Sequence, residues 1–203
     1  MNAQLAESNA PASTTSAQAA RAPHGLAVPV TPEDHTRGAA NAVVTLVEYG
    51  DFESPECAEF YRIVKSMPED LRMNWRHVFR HVPLVRVNRH SVDAAEAAEA
   101  ASAQGLFWDL HDAMFEHQTA LSADFIRTMA GRLGVDLQRY DADMLAHSYA
   151  AQIKRDVASA ARSGVDDAPT FFIDSARYEG PIDATALMMA LKTRIAAATP
   201  PVR

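Results

Sequence analysis

Val43-Val44-Thr45-Leu46-Val47-Glu48-Tyr49-Gly50-Asp51-Phe52-Glu53-Ser54-Pro55-Glu56-Cys57 is the stretch on which the reading of this chain turns. Its first seven residues are β-branched and mostly apolar, the pattern of a central strand covered on both faces. Ser54 then stands where a helix N-cap belongs, with Pro55 at the first helical position. The serine oxygen accepts an orphan backbone N–H, and proline lacks the N–H that would go unused there. The helix is predicted to run through Phe60, Ile63, Val64 and Met67 and to stop near Pro68. A Cys-x-x-Cys at such a strand–helix junction reads as a dithiol redox motif. Here serine holds the first position, and Cys57, the chain's one cysteine, holds the second.

Working outward, Met73 to Val82 alternates apolar and polar residues and reads as a second strand. Two strands joined by a helix make a βαβ unit with a right-handed crossover. From Ser91 to Ser163 the period becomes helical. Ser91 to Gln104 is alanine-rich, with Glu96 and Glu99 expected to face out. Leu106 to Gln118 carries Phe107, Leu110, Met114 and Phe115. Ser122 caps a segment ending at Gly134, and Asp136 to Leu145 and Tyr149 to Arg162 follow, the last closed by Gly164. Thr170–Asp174 and Arg177–Glu179 read as a hairpin turning at Ser175-Ala176. Ala184 to Ala198 is an amphipathic helix with Leu187, Met188, Leu191 and Ile195 on one face. The expected organisation is a mobile tail over residues 1–40, a βαβ half over 41–90, a helical insertion of four to five helices over 91–163, a ββα half over 164–198 and a short tail over 199–203. The first 40 residues are rich in Ala, Ser, Thr and Pro and lack sustained periodicity, so they cannot offset their ordering entropy. Val28 to Thr31 is the part able to dock along the domain.

Composition narrows the function classes. With 203 residues and an apolar fraction of 48%, the chain can bury a sizeable core. The net charge of −7 and the lack of a Lys/Arg block disfavour nucleic acid as a partner. No apolar run approaches the roughly 18 residues of a membrane span, so no membrane insertion is expected. The N-terminus lacks the basic start and apolar stretch of a secretory signal, which makes the cytoplasm the expected compartment. His77 and His81 share a strand face, but His90, His111, His117 and His147 are scattered, and no metal is expected. Ser54 lacks the Gly-x-Ser-x-Gly elbow of a hydrolase. Trp75, Trp108, Phe107 and Phe115 read as core anchors.

The segments VTLVEYGDFESPEC, WRHVFRHVPL, AAEAAEAASAQGLFWDLHDAMFEHQ and SGVDDAPTFFIDSARYEGPID resemble the DsbA-like thioredoxin family, particularly its cytoplasmic members and the domains attached to some sodium/proton antiporters. The resemblance spans about Ala40 to Ala198. It implies an α/β thioredoxin fold, βαβ–ββα around a mixed central sheet, with the helical insertion. It also implies that positions 54 and 57 are the two motif positions, and that Pro169 in Ala168-Pro169-Thr170 is the family's cis-proline facing them. Pro55, Glu56, Ala168, Pro169 and Thr170 are then the expected substrate-binding residues.

In a dithiol site the first sulfur, activated at the helix N-terminus, attacks a disulfide and the second resolves the mixed disulfide. A serine without a neighbouring base cannot replace it. Cys57 is expected one turn inside the helix, facing the protein, and the charge of Glu56 opposes its ionisation. The first functional reading is a family member with little or no dithiol exchange that keeps a groove for extended peptide or a small thiol. The resemblance leaves glutathione as a ligand in two further readings. One is a monothiol enzyme. The other is like the kappa-class transferases and isomerases, in which Ser54 donates to the glutathione sulfur. An engineered cysteine-to-serine exchange in an active oxidoreductase gives the same sequence. Nothing in the sequence fixes the oligomeric state.

Overall fold

The structure is a computed structural model and describes residues 25–198. The expected tails over residues 1–24 and 199–203 lie outside the described residues. Five strands form one mixed sheet in the order β1-β3-β2-β4-β5: β1 (His35–Gly38), β2 (Val44–Gly50), β3 (Trp75–His81), β4 (Thr170–Ile173) and β5 (Ala176–Arg177). β2 and β3 are parallel, with α1 (Pro55–Ser66) as the crossover between them. The other pairs are antiparallel. The fold is therefore α/β with the βαβ–ββα order of thioredoxin. Five helices stand between the halves: α3 (Ser91–Ser102), α4 (Phe107–Glu116), α5 (Ala123–Arg132), α6 (Leu137–Leu145) and α7 (Ala150–Arg162). α8 (Ala184–Ala198) closes the chain, and a short α2 (Glu69–Arg72) lies between α1 and β3.

Side chains alternate across a strand, so each strand feeds two cores. One face of the sheet, with Val44, Leu46, Trp75, Phe171 and Ile173, packs under α1 and α8. Farther along that face, Phe79 joins Phe52, Cys57 and the apolar sides of α3, α4 and α5. The opposite face, with Val47, Tyr49, Val78 and Phe172, is covered by α7 and by Leu26 and Val30.

Four sequence expectations are corrected. The tail does not extend to residue 40: His35–Gly38 adds an edge strand antiparallel to β3, and Arg80 donates to the carbonyls of Val28 and Pro29. A four-residue strand is too short for its period to stand out. Glu96 and Glu99 do not face out. Both are buried, because His147 meets Glu96 at 2.8 Å and His35 and His81 meet Glu99 at 2.7 and 2.9 Å. β3 alternates in sequence but not in burial, since His77, Arg80 and His81 are all enclosed. Finally, the hairpin turns at Asp174-Ser175, one residue earlier than expected. Both have positive φ, 48° and 72°, the pairing that a two-residue turn between twisted strands requires.

Candidate functional site

Ser54 caps α1 as its sequence position predicts. It is extended, at φ −72° and ψ 121°, and its Oγ accepts from Cys57 N at 3.3 Å. The same hydroxyl has one proton and two acceptors, Ala168 O at 3.0 Å and Glu56 Oε2 at 3.1 Å. The bond to Ala168 joins the start of α1 to the loop before β4, and the Ala168–Pro169 peptide is cis. The structure thus brings positions 54 and 168 together. Ser54 is only 2% exposed, whereas Pro55 and Glu56 are exposed. Ala168 has both backbone groups engaged, its N–H with Asp167 Oδ1 and its carbonyl with Ser54. Pro169 and Thr170 border a cleft of about 180 Å³ that continues along Tyr178 and Ile182.

Cys57 is fully buried. Its Sγ accepts from Asp51 N at 3.4 Å. Burial pushes its thiol pKa well up, the nearby carboxylates of Glu48 and Asp51 push the same way, and the bonds from Asp51 N–H and Ser54 offset only part of this. The sulfur sits beside Glu48, a carboxyl on the closed face of β2. Burial raises the Glu48 pKa to about 8, against smaller opposing effects of Arg37 and of the Cys57 thiol. Glu48 Oε2 lies 2.7 Å from His77 Nε2, while Oε1 has no hydrogen-bond partner. Burial holds His77 well below the ordinary histidine range. Sequence reasoning did not place Glu48 in the site. The available signal was a lone acid inside a strand covered on both faces.

The loop carrying the motif is held from two sides. Asp51 accepts from Leu84 N, Asn88 Nδ2, Ser91 Oγ and Glu53 N. Gln118, just past α4, donates to Phe52 O and Ser54 O at 2.9 and 2.7 Å. Away from this loop, His35, His81 and Glu99 have the donor types of a metal site, with ligand atoms within 4.8 Å of one another. Both rings, however, stand 2.7–2.9 Å from one carboxylate oxygen. Neighbouring ligands around a tetrahedral zinc are about 3.3 Å apart, so the trio is a hydrogen-bonded unit.

The thioredoxin family profile matches residues 30–193. The chain belongs to the thioredoxin family. It is 42% identical over 175 residues to the Na(+)/H(+) antiporter NhaA 3 of Salinispora tropica, covering 85% of this chain and 26% of the antiporter. With NhaA of Herminiimonas arsenicoxydans it shares 39% identity over 84% of this chain and 27% of that one. The chain therefore spans about a quarter of the length of these relatives. Among solved structures, a thioredoxin-like oxidoreductase from Silicibacter pomeroyi superimposes with a TM-score of 0.69 at 26% identity, over 83% of this chain and 95% of that one. BdbD from Bacillus subtilis superimposes at 0.74 with 20% identity, over 86% and 98%. This family member has the fold of DsbA-like thiol–disulfide oxidoreductases and a single motif cysteine. Among the described residues, no helix is long and apolar enough to cross a membrane.

Proposed function

We propose that this chain is a redox-silent thioredoxin-fold module that binds rather than exchanges. The observation that carries this reading is the state of the two motif positions. Ser54 offers no sulfur, and its hydroxyl proton is spent on Ala168 O and Glu56. Cys57 is enclosed, with its thiol held in the protonated form. A buried, protonated thiol is neither nucleophile nor leaving group. The same engagement of Ser54 weighs against a serine that activates glutathione sulfur. It also bears on any ligand: the Ala168 N–H is already paired with Asp167 and its carbonyl has one of two lone pairs taken, so an extended peptide or small thiol is expected to engage the cleft beside Pro169 and Thr170. The relatives suggest a module of the kind that accompanies a sodium/proton antiporter; that it works in the cytoplasm rests on the reading of the N-terminal sequence alone.

Three measurements test this reading. The unmodified chain is expected to leave insulin disulfides unreduced and dithiol peptides unoxidised. Iodoacetamide is expected to label Cys57 slowly in the folded state up to pH 9, with or without glutathione. The S54C variant is expected to gain a 54–57 disulfide, seen as two thiols that alkylate only after reduction. Turnover by the unmodified chain, or fast labelling of Cys57 near neutral pH, would sink the proposal.

A further inference from the structure

Gly25 already belongs to the sheet. It bridges antiparallel to Ala176 of β5, and Leu26 N donates to Ser175 O at 2.8 Å. The bridge lies on the outer border of β5, because the inner border is paired with β4. The approach is close: a Cβ on Gly25 would stand 3.2 Å from Ser175 O. Residues 1–24 precede this point, so the chain reaches the fold along a strand edge whose register is set.

Continued upstream, the same ladder places His24, Pro23 and Ala22 opposite Arg177, Tyr178 and Glu179. Hydrogen-bonded and open pairs alternate along an antiparallel ladder. Leu26 and Ser175 share a backbone bond, so Gly25–Ala176 is an open pair. His24–Arg177 is then a bonded pair, Pro23–Tyr178 an open one and Ala22–Glu179 a bonded one. The other side of β5 agrees. Tyr178 N donates to Phe171 O at 2.9 Å, toward β4, which turns the N–H and C=O of Arg177 outward. Pro23 therefore meets the ladder where no N–H is required of it, and a proline one residue to either side would cost a bond.

We propose that residues 22–24 form a sixth strand on the outer border of β5, so that the chain itself occupies the edge to which an extended peptide would otherwise add. Arg177, Tyr178 and Glu179 also line the cleft beside Pro169 and Thr170. The added strand holds that wall in place and leaves the cleft as the way in for a peptide. The consequence for peptides rests on the proposed function; the strand itself does not.

The test is NMR of the full ¹³C,¹⁵N-labelled chain with no ligand added. An open antiparallel pair brings its two Cα–H groups together. A through-space contact between the α-protons of Pro23 and Tyr178 is therefore expected, with slow exchange of the Arg177 and Glu179 amides. A22P removes a donor at a bonded position. It is expected to erase the α-proton contact and to speed Glu179 exchange about tenfold, the worth of one backbone hydrogen bond. P23A changes an open position and is expected to keep both signals. The parent measurements decide by themselves even if a variant fails to fold. Unprotected Arg177 and Glu179 amides in the parent, no contact between residues 23 and 178, or equal effects of A22P and P23A overturns the proposal. Because no ligand is present, these outcomes are independent of whether the cleft binds peptide or Cys57 reacts.

Discussion

Glu48 shows how one enclosed carboxyl can leave its mark on the behaviour of a whole chain. Its pKa is raised from the ordinary 4.5 to about 8 by burial. Between those two pH values the folded chain holds a proton that the unfolded chain has released, so this residue makes stability fall as pH rises. E48Q keeps the shape and the contact with His77 and removes the titration. Its stability advantage over the parent is expected to grow from pH 4.5 to pH 8, by at most about 1.4 kcal/mol per pH unit. Urea unfolding at several pH values measures it, and a constant gap between the two proteins contradicts it. The serine cap, Pro55 at the helix start and Cys57 facing inward were all legible in the sequence, because each follows from local backbone chemistry. The bond from Ser54 to Ala168 was not, because it joins residues 114 positions apart. Nor could spacing alone show that this bond occupies the carbonyl beside Pro169.

At the scale of elements, Glu99 fastens α3 to two strands at once, through His35 on β1 and His81 on β3. Burial alone would raise the Glu99 pKa. The hydrogen bonds from the two rings outweigh burial and hold it near 2, below its ordinary 4.5. Its contribution to stability is therefore complete above pH 4.5 and is lost as pH falls toward 2. E99A strands two ring N–H donors and is expected to cost about 2–4 kcal/mol at pH 7. It should also speed amide exchange in β1 relative to β2, and flatten the acid limb of the stability curve. Unchanged β1 protection in E99A would show that the strand is held by its backbone pairing alone. The helices and β2, β3 and β4 could be read from period and capping. β1 could not, since four residues give little period, and the outward assignment of Glu96 and Glu99 failed because their histidine partners lie 18 to 64 residues away, on other elements. A charged residue on an alanine-rich helix gives no local sign of such a partner.

Across the whole molecule, the helical insertion and the sheet share one core: Phe52, Cys57 and Phe79 pack with Ala97, Leu110, Met114 and Ile126. The insertion therefore cannot melt by itself without exposing the face of β3. Far-UV circular dichroism and tryptophan fluorescence are expected to report one coincident transition. L110A is expected to lower stability by about 2–5 kcal/mol while leaving the transition single. Two separated transitions would instead mark the helices as an independent unit. The N-terminal stretch adds a different kind of constraint. Gly25 bridges to Ala176 beside β5, Leu26 and Val30 cross the α7 side of the sheet, and His35–Gly38 lines β3. One short run of chain thus reaches both borders of the same sheet. Borders left open are where foreign strands attach and fibrils begin; here the outer strands are short, a four-residue β1 carrying Arg37 and a two-residue β5 bridged by Gly25, so they make a poor template for lateral growth, and keeping the protein dispersed when crowded becomes a task of residues that play no part in its chemistry.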